Sequence, residues 1–299
     1  MTQDSPIVIL GGNSQSGISL LRCVSQSGKT GQAISRRALA VPEGFTALKL
    51  DLNDPGDWRA PQGSIILSLL PIWILSPILP RLTEAKAVIA TSSTSRFSKT
   101  NSGDAHEREL ADKLATAESA LQGWAESLGV AWTILRPTLV YDGVSDRNVT
   151  RMARFIKRWR FLPIARPSNG LRQPIHADDV AQAVFKAIDN PKAANRAFNI
   201  SGKEILTYRA MAERIFAALE IKPRFLFVPM PWVKNAFKIA SCLGVVKGNG
   251  VGAAMFQRMN ENLVFETESG LAALDYRPRP FQPNFSNFQR LEEKDQATT

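Results

Sequence analysis

The chain carries a glycine-rich turn directly after its first apolar run. Ile7–Leu10 is short and wholly apolar, and the sequence Gly-Gly-Asn-Ser-Gln-Ser-Gly follows it. Residues 16–25 then have the pattern of a helix. Glycines between a strand and a helix allow a sharp turn and leave N–H groups of the helix N-terminus free to hold a phosphate. This order predicts a parallel sheet flanked by helices and a dinucleotide site at the turn.

The residues after the predicted second strand indicate which dinucleotide binds. The turn itself supplies six predicted cofactor-binding residues: Gly11, Gly12, Asn13, Ser14, Gln15 and Gly17. Ser14 replaces the middle glycine of the usual spacing, so a tight turn without ligand is the alternative. Where an acidic residue normally meets the ribose of NAD, the chain has Ser35, Arg36 and Arg37. Two guanidinium groups can hold a 2′-phosphate, so we predict NADP rather than NAD, with solvated loop arginines as the alternative.

Short apolar runs alternate with longer amphipathic ones through the first half, which is typical of an α/β fold. Strands are predicted near 32–34, 47–50, 64–70, 87–91 and 131–135, and a long helix over 104–128. The most apolar stretch, 65–80, is shorter than the roughly 20 residues of a membrane span and contains three prolines. It therefore predicts a buried strand followed by a helix that begins at proline. The fold class is a Rossmann-like doubly wound parallel sheet with a smaller C-terminal substrate lobe.

The organisation of the chain changes beyond Tyr141. Helical and extended patterns become shorter, and a second lobe is predicted to begin after Gly202. We predict an NAD(P)-binding domain over residues 1–203 and a smaller substrate lobe over 204–299, joined by residues 146–170. Within the second lobe, residues 231–243 are amphipathic, which suits either contact with a membrane or partner or an ordinary core-facing helix. The polar tail, 292–299, is predicted to fray.

Composition excludes several classes of protein. Of 299 residues, 44% are hydrophobic and 21% charged, which excludes a disordered or collagen-like chain. The two cysteines, Cys23 and Cys242, are far apart and lack neighbours at ligand spacing, so no disulfide framework or zinc site is predicted. His106-Glu107 lacks the second histidine of a zinc hydrolase, since Leu110 stands there. We expect no metal, no cleaved signal and a reducing, cytoplasmic setting.

The formal net charge is +10, and part of it is concentrated after Tyr141. Residues 147–177 contain eight Lys and Arg and no acidic residue, and four of these arginines recur at helical spacing: Arg147, Arg151, Arg154 and Arg158. A pocket for an anionic substrate, a surface for anionic lipid headgroups and a solvated face without a role are the competing interpretations. No nucleic acid is expected, because no recognised reading module is present.

Several motifs follow one another in order along the chain. They are the glycine turn, Asp51-Leu52, Ser92-Ser93, Leu135-Arg136-Pro137-Thr138 with Tyr141, His176-Ala177-Asp178-Asp179-Val180, Phe198-Asn199-Ile200-Ser201-Gly202 and Leu274-Asp275-Tyr276-Arg277-Pro278. In this order they resemble the extended short-chain dehydrogenase/reductase family, specifically its NAD-dependent epimerase/dehydratase group, which includes nucleotide-sugar epimerases. The resemblance covers nearly the whole chain.

The resemblance implies roles for particular residues. It places Asp51 and Leu52 beside the adenine, Leu69, Leu70 and Pro71 along the ribose side, and Pro137 and Thr138 near the nicotinamide. Ser93 matches the family's catalytic hydroxyl, with a hydroxyl that caps local backbone as the alternative. We assign Tyr141 and Arg172 to substrate binding. His176 is predicted to begin a helix whose first turn is acidic.

The family's central pair, a tyrosine and a lysine four residues later, is only half present. None of the three tyrosines falls on the helix after the fifth strand, and the best local match is Glu109 with Lys113. The resemblance implies that Lys113 holds the cofactor ribose, and a carboxylate beside a cofactor can act as acid or base if burial raises its pKa. An i,i+4 ion pair on a wet helix face is the alternative.

Two functions from different classes follow. The first is an NADP-dependent oxidoreductase or epimerase-like enzyme for a small anionic, nucleotide-sugar-like substrate, in which Ser93, Lys113 and Glu109 are the catalytic residues. The second is a non-catalytic NADP-binding sensor or assembly protein, which the loss of the tyrosine favours. The family resemblance suggests a homodimer through the long helix, and peripheral membrane contact is a further alternative.

Overall fold

A seven-stranded parallel sheet forms the centre of the molecule. The computed structural model describes residues 5–229 and 256–286. The strands of the sheet are β1 (Ile7–Leu10), β2 (Gly31–Ser35), β3 (Phe45–Lys49), β4 (Ile65–Ser68), β5 (Ala87–Thr91), β6 (Ala131–Pro137) and β11 (Arg196–Ile200). The strand order is β11-β6-β5-β4-β1-β2-β3, and every neighbouring pair is parallel. The order reverses at β1, which confirms the doubly wound sheet and makes the ends of β1 and β4 the expected ligand crevice.

Helices cover both faces of this sheet. The helices of the molecule include α1 (Gln15–Gln26), α2 (Ile72–Leu75), α3 (Ser95–Ser98), α4 (Ala105–Leu128), α5 (Val149–Trp159), α6 (Ala177–Lys186), α7 (Tyr208–Ala218), α8 (Glu268–Leu274) and a 3-10 helix (Ser76–Arg81), and of these α5 and α7 lie outside the sheet. Side chains alternate along β1, so Ile7 and Ile9 join the core with α1 and α6. Val8 and Leu10 join the opposite core with α2 and α4.

A third hydrophobic core lies outside the sheet. It joins α5 and α7 to residues of the C-terminal part, including Met259, Phe281 and Phe285. Short strand pairs border it. These are β7 (Leu139–Tyr141) with β10 (Pro174–His176), β8 (Leu162–Ile164) with β13 (Phe225–Phe227), and β9 (Leu171–Arg172) with β12 (Leu206–Thr207). The division into residues 1–203 and 204–299 stays a prediction.

The apolar stretch 65–80 folds as expected, as β4 followed by a helix that begins after Pro71. No helix in the described ranges is long and apolar enough to cross a membrane. The predicted amphipathic stretch 231–243, the tail 292–299 and Cys242 lie outside the described residues.

Candidate functional site

Ser14 organises the glycine turn after β1. Its Oγ accepts a hydrogen bond from the Gly17 N–H at 3.0 Å and donates to the Gly11 carbonyl at 2.9 Å, so it caps α1. Gly11 has a φ of 83°, which favours glycine. A Cβ on Gly17 would lie 2.4 Å from the Gly11 oxygen, so the turn and α1 approach too closely for any other residue.

Backbone donors of this turn face a cavity. Within the described residues, the N–H groups of Asn13, Gln15 and Ser16 have no hydrogen-bond acceptor. All three residues line a cavity of about 550 Å³ at the carboxyl ends of β1, β4 and β5. Unpaired N–H groups at a helix N-terminus are suited to bind a phosphate group.

Some, but not all, of the predicted cofactor-binding residues line this cavity. Seven of them line it: Asn13, Ser14, Gln15, Leu69, Leu70, Pro71 and Pro137. Ser35 is buried at the end of β2, next to β1, while Arg36 and Arg37 are exposed there. After β3, Asp51 is exposed and Leu52 is buried in the sheet core. Thr138 lies in a neighbouring cavity instead.

That second cavity has a volume of about 600 Å³ and adjoins the first. Both are lined by Ser92, Ser93 and Ser95, which follow β5, by Pro137 at the end of β6, and by Val140 in β7. In the described part of the chain, the charged residues that line the second cavity are all cations: Lys99, Arg147, Arg151, Arg172 and Arg258. Two molecules bound in the two cavities would therefore meet at Ser92 and Ser93, and the second would be an anion.

The two serines at this junction have different partners. Ser92 Oγ donates to Glu118 Oε1 at 2.6 Å. Ser93 Oγ accepts from the Ser95 N–H at 3.1 Å, which leaves the hydrogen of its own hydroxyl available to a ligand. The backbone-capping interpretation of Ser93 and a role in orienting a substrate oxygen are thus compatible.

Glu118, which the sequence analysis did not single out, anchors this junction from α4. It is 2% exposed and binds the Arg136 guanidinium at 2.6 to 3.1 Å, and it also contacts Arg96. A sequence signal was present, because Glu118 lies between Leu114 and Leu121 on the apolar stripe of α4. A carboxylate on such a stripe indicates a buried ion pair.

Glu107 anchors the other end of the loop that follows β5. It is 7% exposed, contacts Arg258, accepts from Ser102 Oγ at 2.8 Å and lies 3.4 Å from Lys99 Nζ. Burial alone would raise the pKa of Glu107, but the Ser102 hydrogen bond and the charges of Arg258 and Lys99 together lower it. Two of the cavity cations therefore share one carboxylate as their ion-pair partner.

The structure separates the predicted pair on α4. The Glu109 side chain is 76% exposed, and its Oε2 lies 3.8 Å from His106 Nδ1. Lys113 Nζ lies 5.1 Å from the ring centroid of Trp73, which lines the first cavity. Lys113 is thus at the rim of the predicted cofactor site, whereas Glu109 faces solvent.

The two residues assigned to substrate binding are both buried. Tyr141 is 1% exposed and packs edge-on against His176 and Phe281, and burial raises its pKa to about 12. Arg172 lines the second cavity, but its guanidinium donates to the carbonyls of Leu171 and Glu261 and contacts that of Arg258. Burial lowers the pKa of Arg172 to about 10, and its guanidinium lies over the ring of Tyr208.

The basic stretch divides between cavity and surface. Arg147 and Arg151 line the second cavity, whereas Arg154 donates to the Val144 carbonyl at 2.9 Å and Arg158 lies 5.3 Å from the Trp159 ring centroid. His176 begins α6 as predicted, with two aspartates in the first turn. Among the described residues, no group of three or more His, Cys, Asp or Glu is placed to hold a metal ion.

A doubly wound parallel sheet, a glycine turn at its switch point and a cleft above the strand ends define an NAD(P)-binding fold of the epimerase/dehydratase type. Comparison with known sequences agrees, because residues 86–201 match the model of the NAD dependent epimerase/dehydratase family. The resemblance predicted from the motifs is thereby confirmed over residues 86–201.

Individual relatives differ in what their names describe. The chain is 28% identical over 128 residues to an NADH dehydrogenase [ubiquinone] 1 alpha subcomplex subunit 9 of Arabidopsis thaliana, which covers 42% of this chain and 30% of that subunit. It is 21% identical to an NAD(P)H azoreductase of Xenophilus azovorans over 85% of both chains. The chain spans less than half the length of three of the curated relatives that it matches.

Solved structures share the whole architecture at low identity. The UDP-glucuronic acid 4-epimerase of Bacillus cereus, solved with UDP-glucuronic acid and NAD, superimposes with a TM-score of 0.70 at 13% identity. The superposition covers 96% of this chain and 99% of the epimerase. At this identity the likeness concerns the fold alone.

Proposed function

We propose that the protein binds NADP in the first cavity and a small anionic substrate in the second, and acts as an oxidoreductase or epimerase-like enzyme. The observation that carries this proposal is the junction of the two cavities at Ser92, Ser93, Ser95, Pro137 and Val140. Hydride transfer requires the two reacting carbons to be in contact, and adjoining cavities supply that arrangement.

The residues present fit a dinucleotide. The N–H groups of Asn13, Gln15 and Ser16 are available to a pyrophosphate, even though Ser14 occupies the Gly17 N–H. Arg36 and Arg37 are exposed at the end of β2, where a 2′-phosphate would lie. Their position supports NADP over NAD.

Three residues of the chain have proposed roles near the junction of the two cavities. A bound nicotinamide supplies or accepts the hydride. Ser93 would donate its hydroxyl hydrogen to the substrate oxygen and orient it, and Lys113, at the rim beside Trp73, would hold the ribose. Glu109 would serve as acid or base only after its side chain turned from His106 towards the cavity.

The relatives support both chemistries within this proposal. One is named an NAD(P)H azoreductase and aligns along 85% of each chain, and one structural neighbour holds a sugar nucleotide with NAD. The cations of the second cavity suit the negative charge of either kind of substrate. The cytoplasmic location and the homodimer through α4 remain part of the proposal.

Turnover assays test the enzymatic proposal. Purified protein with NADPH is screened against anionic carbonyl, azo and quinone compounds, and with NADP and UDP-sugars for epimerisation. We expect turnover of one class and a loss of about 10- to 100-fold in kcat for Ser93→Ala with unchanged cofactor affinity. A Ser93→Ala enzyme with unaltered kcat would contradict the role of the hydroxyl.

A second candidate, a non-catalytic NADP-binding sensor or assembly protein, has its own support. Glu109 stands where the family has its tyrosine and is 76% exposed beside His106. One relative is named as a subunit of a larger complex. Tight NADPH binding without turnover in any class of the screen would favour this candidate over the enzyme.

A further inference from the structure

We propose that the second cavity takes an amphipathic anion, a compound with an apolar or aromatic body and one carboxylate or phosphate group, in preference to a sugar nucleotide. The inference names the substrate class of the site described above and rests on the proposed function. It follows from the positions of the apolar surface of this cavity and of those cations that are unpaired in the described part of the chain.

Within the ranges that the structure describes, the lining cations that have no partner lie at one place. Of the five cations in the lining, Lys99 and Arg258 share Glu107, and Arg172 is held by backbone carbonyls. Arg147 and Arg151 have neither an ion-pair partner nor a hydrogen-bond acceptor among the described residues. Arg147 directly precedes the N-cap of α5, Arg151 lies in its first turn, and both are exposed. The negative group of a ligand would therefore bind there.

Apolar surface follows directly on the same helix. Met152 and Phe155 come after Arg151 on α5, and both are half-buried in the cavity lining. Further apolar lining comes from several segments, including Leu162, Pro163, Met211, Met259, Leu263 and Phe265. Three of the lining side chains are methionines, which adapt to apolar ligands of differing shape.

The apolar side of this lining fits the body of a sugar nucleotide poorly. Ribose and hexose hydroxyls placed against Met152, Phe155 and Met259 would lose hydrogen bonds to water without replacement, which disfavours binding. An apolar body gains from the same surface. The ligand would lie with its charged group at Arg147 and Arg151 and its body along Met152 and Phe155.

Isothermal titration of the intact protein with simple probes tests the inference. The probes are octanoate, octyl phosphate, the uncharged octan-1-ol and UDP-glucose, each measured without cofactor and again with saturating NADP. We expect both octyl anions to bind more tightly than octan-1-ol and UDP-glucose. Comparison of octanoate with octyl phosphate shows whether a carboxylate or a phosphate is preferred.

Paired variants locate the binding. Arg147→Ala with Arg151→Ala should weaken the binding of the octyl anions about three- to tenfold and leave that of octan-1-ol unchanged, since two exposed cations are removed. Phe155→Ser should weaken the binding of all three octyl probes. The matched control removes two arginines from the far end of the same helix, Arg158→Ala with Arg160→Ala, and should alter no probe's affinity by more than twofold.

The outcomes separate the two proposals. Tighter binding of UDP-glucose than of both octyl anions, or equal losses in the control pair, would overturn the amphipathic ligand while leaving NADP binding intact. Octyl anions that bind through Arg147 and Arg151 in a protein that fails to bind NADP would instead contradict the proposed function.

Discussion

Ser92 and Ser93 are neighbours whose hydroxyl groups serve different partners, and Glu118 causes the difference. Its carboxylate binds Ser92, Arg96 and Arg136 from the face of α4. Because Ser92 is thereby committed, Ser93 alone of the two offers a hydroxyl hydrogen at the junction of the cavities. A single buried carboxylate thus sets which serine can contact a substrate.

Removal of this carboxylate should destabilise the fold. Glu118→Ala leaves two guanidinium groups without their partner in a largely buried position, so we expect the free energy of unfolding to fall by about 3 kcal/mol. Urea denaturation measures it. Glu126→Ala, which removes an exposed carboxylate from the same helix, serves as the control and should change stability by about 0.5 kcal/mol or less. Equal losses in the two variants would contradict the anchoring role.

At the scale of elements, the sheet was predictable because its strands are short apolar runs covered on both faces. β1 and β5 agree with their predicted bounds, and the long helix begins one residue later than predicted. The short strand pairs beside the second cavity were not predicted individually. Two- and three-residue strands such as β12 depend on partners far along the chain and leave no periodic pattern.

A methyl group added at Gly17 should disturb the glycine turn. Gly17→Ala places a Cβ 2.4 Å from the Gly11 oxygen, so α1 must shift away from the turn. We expect a loss of about 1–3 kcal/mol in stability together with weakened NADPH binding. Gly123→Ala is the matched control, since open space surrounds its Cβ in α4 and stability should rise by up to about 1 kcal/mol. A Gly17→Ala protein with normal stability and affinity would contradict the close approach.

The hydrogen bond of His176 at the start of α6 should make the stability of the protein depend on pH. His176 Nδ1 accepts the Asp178 N–H at 3.1 Å, which requires a neutral ring. Burial, assisted by the charge of Arg279, lowers the pKa of His176 against the opposing effect of Asp178, Asp179 and Asp142. A group with a lowered folded-state pKa contributes stability above its unfolded value, about 6.5, and loses it as the pH falls below that value.

Thermal unfolding between pH 7.5 and 5 measures this contribution. We expect the melting temperature of the wild-type protein to fall through this range, and that of His176→Asn, which retains a side chain able to cap α6, to fall less. Parallel curves for the two proteins would show that His176 is not the titrating group.

At the scale of the whole molecule, contacts between distant segments complete the second cavity. Glu107 contacts the side chain of Arg258, which lies 151 positions further along the sequence. The Arg172 guanidinium contacts the Arg258 carbonyl, which lies 86 positions further along. Such pairings depend on the topology of the fold. Composition and periodicity therefore predicted the basic stretch, but they did not predict which of its arginines enter the cavity. The cofactor turn was predictable because all its parts are contiguous, whereas the substrate side is assembled from several separated segments.

The central claim is that the cleft above β1 and β4 is an NADP site, and an equilibrium titration tests it most directly. Nicotinamide fluorescence and thermal shift are followed with NADPH and NADH, for the wild-type protein and for Arg36→Ala with Arg37→Ala. The account predicts saturable binding of both, tighter for NADPH, with stabilisation of about 2.7 kcal/mol at 100 times the Kd and the preference lost in the double variant. Binding of neither dinucleotide, or tighter binding of NADH by the wild-type protein, would contradict it.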